Sequence, residues 1–351
     1  MKHFKCTCGN VLFFGSSRCL RCQQTVGFDP VQRQMSTYGP STELKLCANG
    51  LKYAVCNWLV PAEKADSLCR ACTMNRTIPD LSKTNNSALW TKMEMAKRRL
   101  LYTLDELQIP MPSISEDGST GVAFDIVSTY ADPSVTMGHL KGVITVNLEE
   151  ADDTYRQINR QQLGENSRTL LGHFRHESGH YLWYRQLSDL LWDHPLREAF
   201  RAVFGSESKD YASSLQLHYR RGAPLGWERD FITPYAASHP WEDWAETWAH
   251  YLQIIDGLET CESLGIQVSS LALPLVIIPG EAGNLPPPLA PDPQESGRFL
   301  AMLQRWICLS SVLNEISQSL GESALYPYII TVPTARKLRL AHHFAQSWRG
   351  K

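Results

Sequence analysis

Residues 176–180 read His-Glu-Ser-Gly-His, an H-E-x-x-H pattern. Positions four apart share one face of a helix, so the His176 and His180 imidazoles can reach a single metal ion. Glu177 falls one position round, where its carboxylate can point at a water on that ion. Zinc suits such a place. It lowers the pKa of a bound water towards neutrality, and a nearby carboxylate can then act as general base in attack on a carbonyl. Leu170, Leu171, Phe174, Leu182 and Trp183 frame the pattern with apolar side chains. They predict an embedded helix, over about Ser167 to Leu191, in which two histidines and a glutamate need partners.

A catalytic zinc takes a third protein ligand. A metzincin would place a histidine six residues after the second one, and that position is Gln186. The alternative is a carboxylate on a later helix. Residues 240–250, PWEDWAETWAH, offer candidates. Trp244, Trp248, Tyr251 and Ile255 form one apolar stripe, while Glu242, Glu246 and His250 form a second line four residues apart. A helix of tryptophans beside an acidic line reads as a helix facing a metal rather than solvent.

The cysteines suggest further metal chemistry. Eight of the ten lie between Cys6 and Cys72. Cys6, Cys8, Cys19 and Cys22 can supply four thiolates to one tetrahedral zinc, and Cys47, Cys56, Cys69 and Cys72 can supply a second. In another pairing, Cys19 and Cys22 share a metal with Cys69 and Cys72. Confinement to the front of a large chain fits structural zinc better than a disulfide scaffold. So short a segment could scarcely fold without metal. Such a module can bind nucleic acid, bind protein or cap a neighbouring domain. Lys2, Lys5, Arg18, Arg21 and Arg33 give it modest basicity, and Phe4, Phe13 and Phe14 suit a core as well as a stacking surface.

Other elements must carry these groups. From Ser87, the residues Leu89, Met93, Ala96, Leu100, Leu104 and Leu107 repeat at helical spacing, with Lys92, Lys97, Arg98 and Arg99 on other faces. That change of character places a boundary near Pro79. The reading is a small cysteine-rich module over 1–80 and a larger domain over 81–351. Val122 to Tyr130 and Gly142 to Leu148 read as strands. Helices are expected over about Trp241 to Ile255, Gln294 to Leu320 and Thr334 to Trp348, with a proline-rich loop over Gly280 to Pro293. The sum is an α+β domain with a small sheet. At 351 residues, 43% hydrophobic and 20% charged, the chain can bury a sizeable core. A net charge of -2 argues against a generally nucleic-acid-binding surface. No apolar run of signal-peptide length precedes the first cysteines. The most apolar stretch, Leu271 to Ile278, is short and contains Pro274, so a cytoplasmic protein without a membrane segment is expected.

The segments TLLGHFRHESGHYLW and HPWEDWAETWAHYL, with HLKGVITVNLEEAD and CNWLVP, resemble the bacterial zinc-binding metallopeptidase family that carries an N-terminal zinc ribbon. That family is similar to gluzincins. The resemblance implies a zincin-like domain in which the first glutamate of E-x-x-x-[DE] ligates zinc and the second acidic residue holds a ligand histidine from behind. Glu242 is then the ligand and Glu246 the partner of His176 or His180, with His250 as the other candidate ligand. It also implies an edge strand that pairs with extended substrate, a role that GVITVNL fits as readily as that of an ordinary internal strand. Tyr235 or His239, shortly before the glutamate, would stabilise the oxyanion. One catalytic and two structural zinc ions follow, with a protein or peptide as substrate. The rival classes are a ribbon adaptor with a degenerate zincin domain and a hydrolase of a non-peptide amide. A peptidase recruited to DNA by its ribbon would show salt-sensitive binding.

Overall fold

The computed structural model describes residues 1–351 except 65, 133, 134, 136, 164–168, 269, 270, 272, 274–277, 350 and 351, and except the side chains of 160–163. The apolar run over 271–278 and the first residues of the helix expected from Ser167 therefore lie largely outside the described residues. The chain forms two compact units. One comprises Met1–Asp105, Met111–Ile158 and Glu262–Gly265, the other Glu106–Pro110, Asn159–Cys261 and Ile266–Lys351.

The first unit begins with short hairpins. β1 (Phe4–Lys5) pairs with β2 (Val11–Leu12), β3 (Val26–Asp29) with β4 (Gln34–Thr37), and β5 (Leu44–Leu46) with β6 (Leu59–Pro61) across α1 (Ala48–Tyr53). A one-turn helix, α2 (Arg70–Thr73), leads into β7 (Asn75–Thr77) and the long α3 (Asn86–Glu106). Aromatic rings make the small core: Phe14 meets Phe28 at 4.9 Å and Tyr102 at 5.4 Å, and Phe28 meets Trp58 at 5.4 Å. Phe4 is buried as well, whereas Phe13 faces solvent.

Two of the cations that α3 carries off its apolar stripe, Lys97 and Arg98, are buried as well. The cause is Glu94, which is fully buried on the same helix. Its carboxylate accepts from Lys97 Nζ and Trp90 Nε1 at 3.0 Å and from Asn75 Nδ2 at 2.7 Å. Arg98 donates to the Val55 carbonyl at 2.8 Å. Spacing alone cannot show that a buried carboxylate will draw two cations inward.

After the single turn α4 (Ile114–Asp117) come β8 (Ala123–Val127), β9 (Gly138–Leu140) and β10 (Val143–Asn147), then α5 (Asp153–Leu163). The sheet order is β7-β8-β10-β9. β10 runs parallel to β8, with Val143 opposite Ala123, and antiparallel to β9. Of the two places open to the GVITVNL strand, a sheet edge or the interior, it takes the interior, and β9 occupies the edge. A turn at Lys141 and Gly142, with φ of 47° and 83°, folds β9 back onto it.

The second unit is helical: α6 (Leu170–Leu187), α7 (Pro195–Phe204), α8 (Tyr211–Arg221), α9 (Pro240–Ser263), α10 (Pro293–Ser319) and α11 (Val332–Gln346). Side-chain caps start most of them. Thr169 accepts from Gly172 N, Asp210 from Ser213 N, and Asp292 from Gln294 N and Glu295 N. Proline in the first turn of α7 and α10 marks the same boundary. α9 continues past its expected end through Gly257, where a side-chain carbon would stand 2.5 Å from the Trp306 ring. Trp244 and Trp248 stack at 5.9 Å, and Phe204 and Phe344 close on Trp244 at 5.7 and 4.8 Å. No helix among the described residues is long and apolar enough to cross a membrane.

Candidate functional site

α6 and α9 meet along the H-E-x-x-H turn. Trp244 Nε1 donates to the Gly179 carbonyl at 2.8 Å, and Trp248 Nε1 to Ser178 Oγ at 3.1 Å. These two bonds fix the helix faces, so the lines carrying histidines and glutamates point the same way. His176 Nε2 then lies 3.1 Å from His180 Nε2 and 3.1 Å from Glu242 Oε2, while His180 Nε2 is 3.5 Å from Glu242 Oε1.

One ligand atom from each of these three residues falls within 4.8 Å of the others. Zinc–nitrogen and zinc–oxygen bonds of about 2.0–2.2 Å in a tetrahedron place neighbouring ligand atoms roughly 3.3–3.6 Å apart. The donor chemistry also fits. Glu242 is fully buried, and its Oε2 has no hydrogen-bond partner. Such an oxygen among imidazole lone pairs calls for a cation. Burial alone would raise the Glu242 carboxyl, yet His180 and His176 hold it well below the usual range. Burial likewise opposes charge on His176, but Glu242 and Glu246 push its pKa well above the ordinary value. A centre that favours positive charge this strongly suits a divalent ion.

Glu246 Oε1 accepts from His176 Nδ1 at 2.7 Å, which leaves Nε2 of that ring facing the cluster. Glu177 is buried, and burial raises its pKa against the pull of both histidines. Its Oε2 has no hydrogen-bond partner. The Tyr235 ring lies 6.1 Å from that of His176, with its phenol pushed well above the usual range by burial first and Glu242 next.

Two candidates point elsewhere. His250 Nδ1 bonds the Tyr326 hydroxyl at 3.0 Å, and that residue is not among the converging donors. His239 has both ring nitrogens engaged, accepting from Trp241 N and donating to the Lys209 carbonyl, each at 3.1 Å. A residue that sequence reasoning passed over stands in the site. The Tyr211 hydroxyl donates to Glu242 Oε1 at 2.7 Å. Its only local signal is the capping Asp210 before it, which marks a helix start and not a site.

In the first unit the cysteines gather in two groups, Cys6, Cys8, Cys19 and Cys22, and Cys47, Cys56, Cys69 and Cys72. The alternative sharing of Cys19 and Cys22 with Cys69 and Cys72 does not occur. Sulfur separations are 3.6 Å for Cys6–Cys22 and Cys8–Cys19, and 3.7 Å for Cys56–Cys69. A tetrahedron with zinc–sulfur bonds near 2.3 Å has edges of about 3.8 Å. Backbone N–H groups of Cys69 and Trp58 point at Cys47 and Cys56 sulfurs, at 3.2 and 3.4 Å. These contacts stabilise thiolates. A backbone bond within the loop is the main cause that draws Cys19 down to about 6, while Cys22, against a backbone bond at Gln24, is pushed up to about 12 by burial and then by the neighbouring thiols. Four thiols this close cannot shed their protons together without a cation.

Residues 3–83 match a zinc-ribbon domain, and residues 86–344 match the family described as "Putative zinc-binding metallo-peptidase". An uncharacterized protein of Mycobacterium bovis and two of Mycobacterium tuberculosis are each 38% identical over 346 residues, covering 97% of this chain and 94% of theirs. No solved structure matches the chain significantly. With most of its length matched, the chain belongs to this zinc-binding metallopeptidase family and carries an N-terminal zinc ribbon.

Proposed function

We propose that the chain is a zinc-dependent peptidase in which His176, His180 and Glu242 hold the catalytic ion and Glu177 is the general base. The observation that carries this reading is the convergence of those three donors beside the buried, unpartnered Glu177 oxygen. Zinc held there supplies a Lewis acid that polarises a carbonyl and acidifies water.

The chain's own groups do the rest. Glu177, its pKa raised by burial, takes the proton of the attacking water and returns it to the leaving amine. Glu246 fixes the tautomer and tilt of His176. Tyr235, beside the His176 ring, donates to the oxygen that gains charge. The eight clustered cysteines hold two structural zinc ions. The substrate is a peptide or protein, and the ribbon engages a protein or nucleic-acid partner.

The test is cleavage of a proteome-derived peptide mixture by wild type and Glu177→Gln, with zinc measured in both. The variant is expected to lose roughly 10²–10⁴-fold of the rate and keep its zinc. Wild-type cleavage by the variant would refute the assignment.

A further inference from the structure

Glu242 presents its two oxygens unequally. Oε1 receives the Tyr211 hydroxyl at 2.7 Å, whereas Oε2 has no hydrogen-bond partner and stands 3.1 Å from His176 Nε2. Oε1 also faces the site, 3.5 Å from His180 Nε2. Left alone, this carboxylate could grip an ion with both oxygens.

Tyr211 is held for its task. It is the first residue of α8, capped by Asp210, whose side chain accepts from Ser213 N at 2.7 Å. Its ring packs 5.2 Å from that of His239 and 5.8 Å from that of Trp241. One residue earlier, the Lys209 carbonyl accepts from His239 Nε2. Residues 209–211 thus dock on 239–241, which aims the phenol at the next residue of α9, Glu242. No residue of α8 is buried, and Tyr211 itself is 37% exposed. The hydroxyl is therefore not explained by a need of the core.

Accepting His176, His180 and Glu242 as the metal centre, we infer that Tyr211 is a positioning residue that occupies Oε1 and makes Glu242 a one-oxygen ligand through Oε2. One coordination position stays open for water and substrate, as a catalytic site requires. The phenol acts through the carboxylate and touches no reacting atom.

The test uses the full chain and two readouts besides activity: zinc affinity by chelator competition, and the visible spectrum after cobalt(II) replaces zinc at the histidine site. Tyr211→Phe is expected to bind the catalytic ion about 10–100-fold more weakly. Its cobalt bands should lose intensity as Glu242 turns to two-oxygen binding and coordination rises, with the cysteine-bound ions and circular dichroism unchanged. Tyr235→Phe, whose hydroxyl has no bond to Glu242, should keep wild-type affinity and spectrum. Wild-type values for Tyr211→Phe would overturn the inference, as would weaker binding with an unchanged cobalt spectrum, or an equal effect in Tyr235→Phe. If wild type takes up only the cysteine-bound ions, the metal-centre reading fails and this inference with it.

Discussion

Gly179 of α6 lies against Ala245 of α9 so closely that a side-chain carbon on the glycine would stand 3.1 Å from the Ala245 Cα. The same carbon would meet the Trp248 side chain at 3.1 and 3.2 Å. The glycine inside H-E-x-x-H is therefore the crossing point of the two helices that carry the candidate ligands. Gly179→Leu should wedge them apart, costing about 1–3 kcal/mol and the catalytic zinc, while the cysteine-bound zinc remains. Gly179→Ala asks only a few tenths of an ångström and should be milder. Thermal unfolding and metal content check both; full zinc and an unchanged Tm in the leucine variant would contradict the crossing argument.

The two glutamates of α9 separate by metal content. Glu242→Ala should strip or greatly weaken the catalytic zinc, since two histidines leave the ion largely to water. Glu246→Ala removes only the bond to His176 Nδ1 and should keep the ion with about 10–100-fold lower affinity. Both sit on one helix, so circular dichroism exposes a shared folding defect. Equal retention in both would point to another ligand, and the reverse order would exchange their roles.

His250 predicts an acid limb in stability. Burial, aided by Arg175 and opposed by Glu246, lowers its pKa from the ordinary 6.5 to about 4. Above pH 6.5 it is neutral in both folded and unfolded chains. Below that, the unfolded chain takes up the proton first, so this contribution is lost as the pH falls from 6.5 towards about 4. The slope reaches at most about 1.4 kcal/mol per pH unit. In His250→Gln the decline over this window should be shallower than in wild type, measured by denaturant unfolding at several pH values. Parallel profiles would show that His250 does not titrate as its burial demands.

Cys72 lies in the buried cysteine group. Cys72→Ser should lower the zinc content by one ion and destabilise the first unit, because an ion there contributes folding free energy directly. Elemental analysis with limited proteolysis would report it. Unchanged zinc content, or iron in place of zinc, would refute the structural-zinc reading of that group.

Local periodicity and spacing announced α6, α9 and their lines of histidines and glutamates, because a helix turns neighbours three and four apart onto one face. The cysteine spacing pointed to metal for the same local reason. Other features depend on how segments pack in space. Which cysteines gather together depends on hairpins folding over one another. Lys97 and Arg98 turn inward because Glu94 is buried beneath them. GVITVNL is internal because β9 folds back on it, which alternation along one strand cannot reveal. His250 is turned to Tyr326, 76 residues away, and Tyr211 reaches Glu242 across 31 residues. The sequence alone determined which donors exist and which share a helix face. Only packing decided which of them meet, because a hydrogen bond between distant residues depends on distance and direction in space, and neither is written in their spacing along the chain.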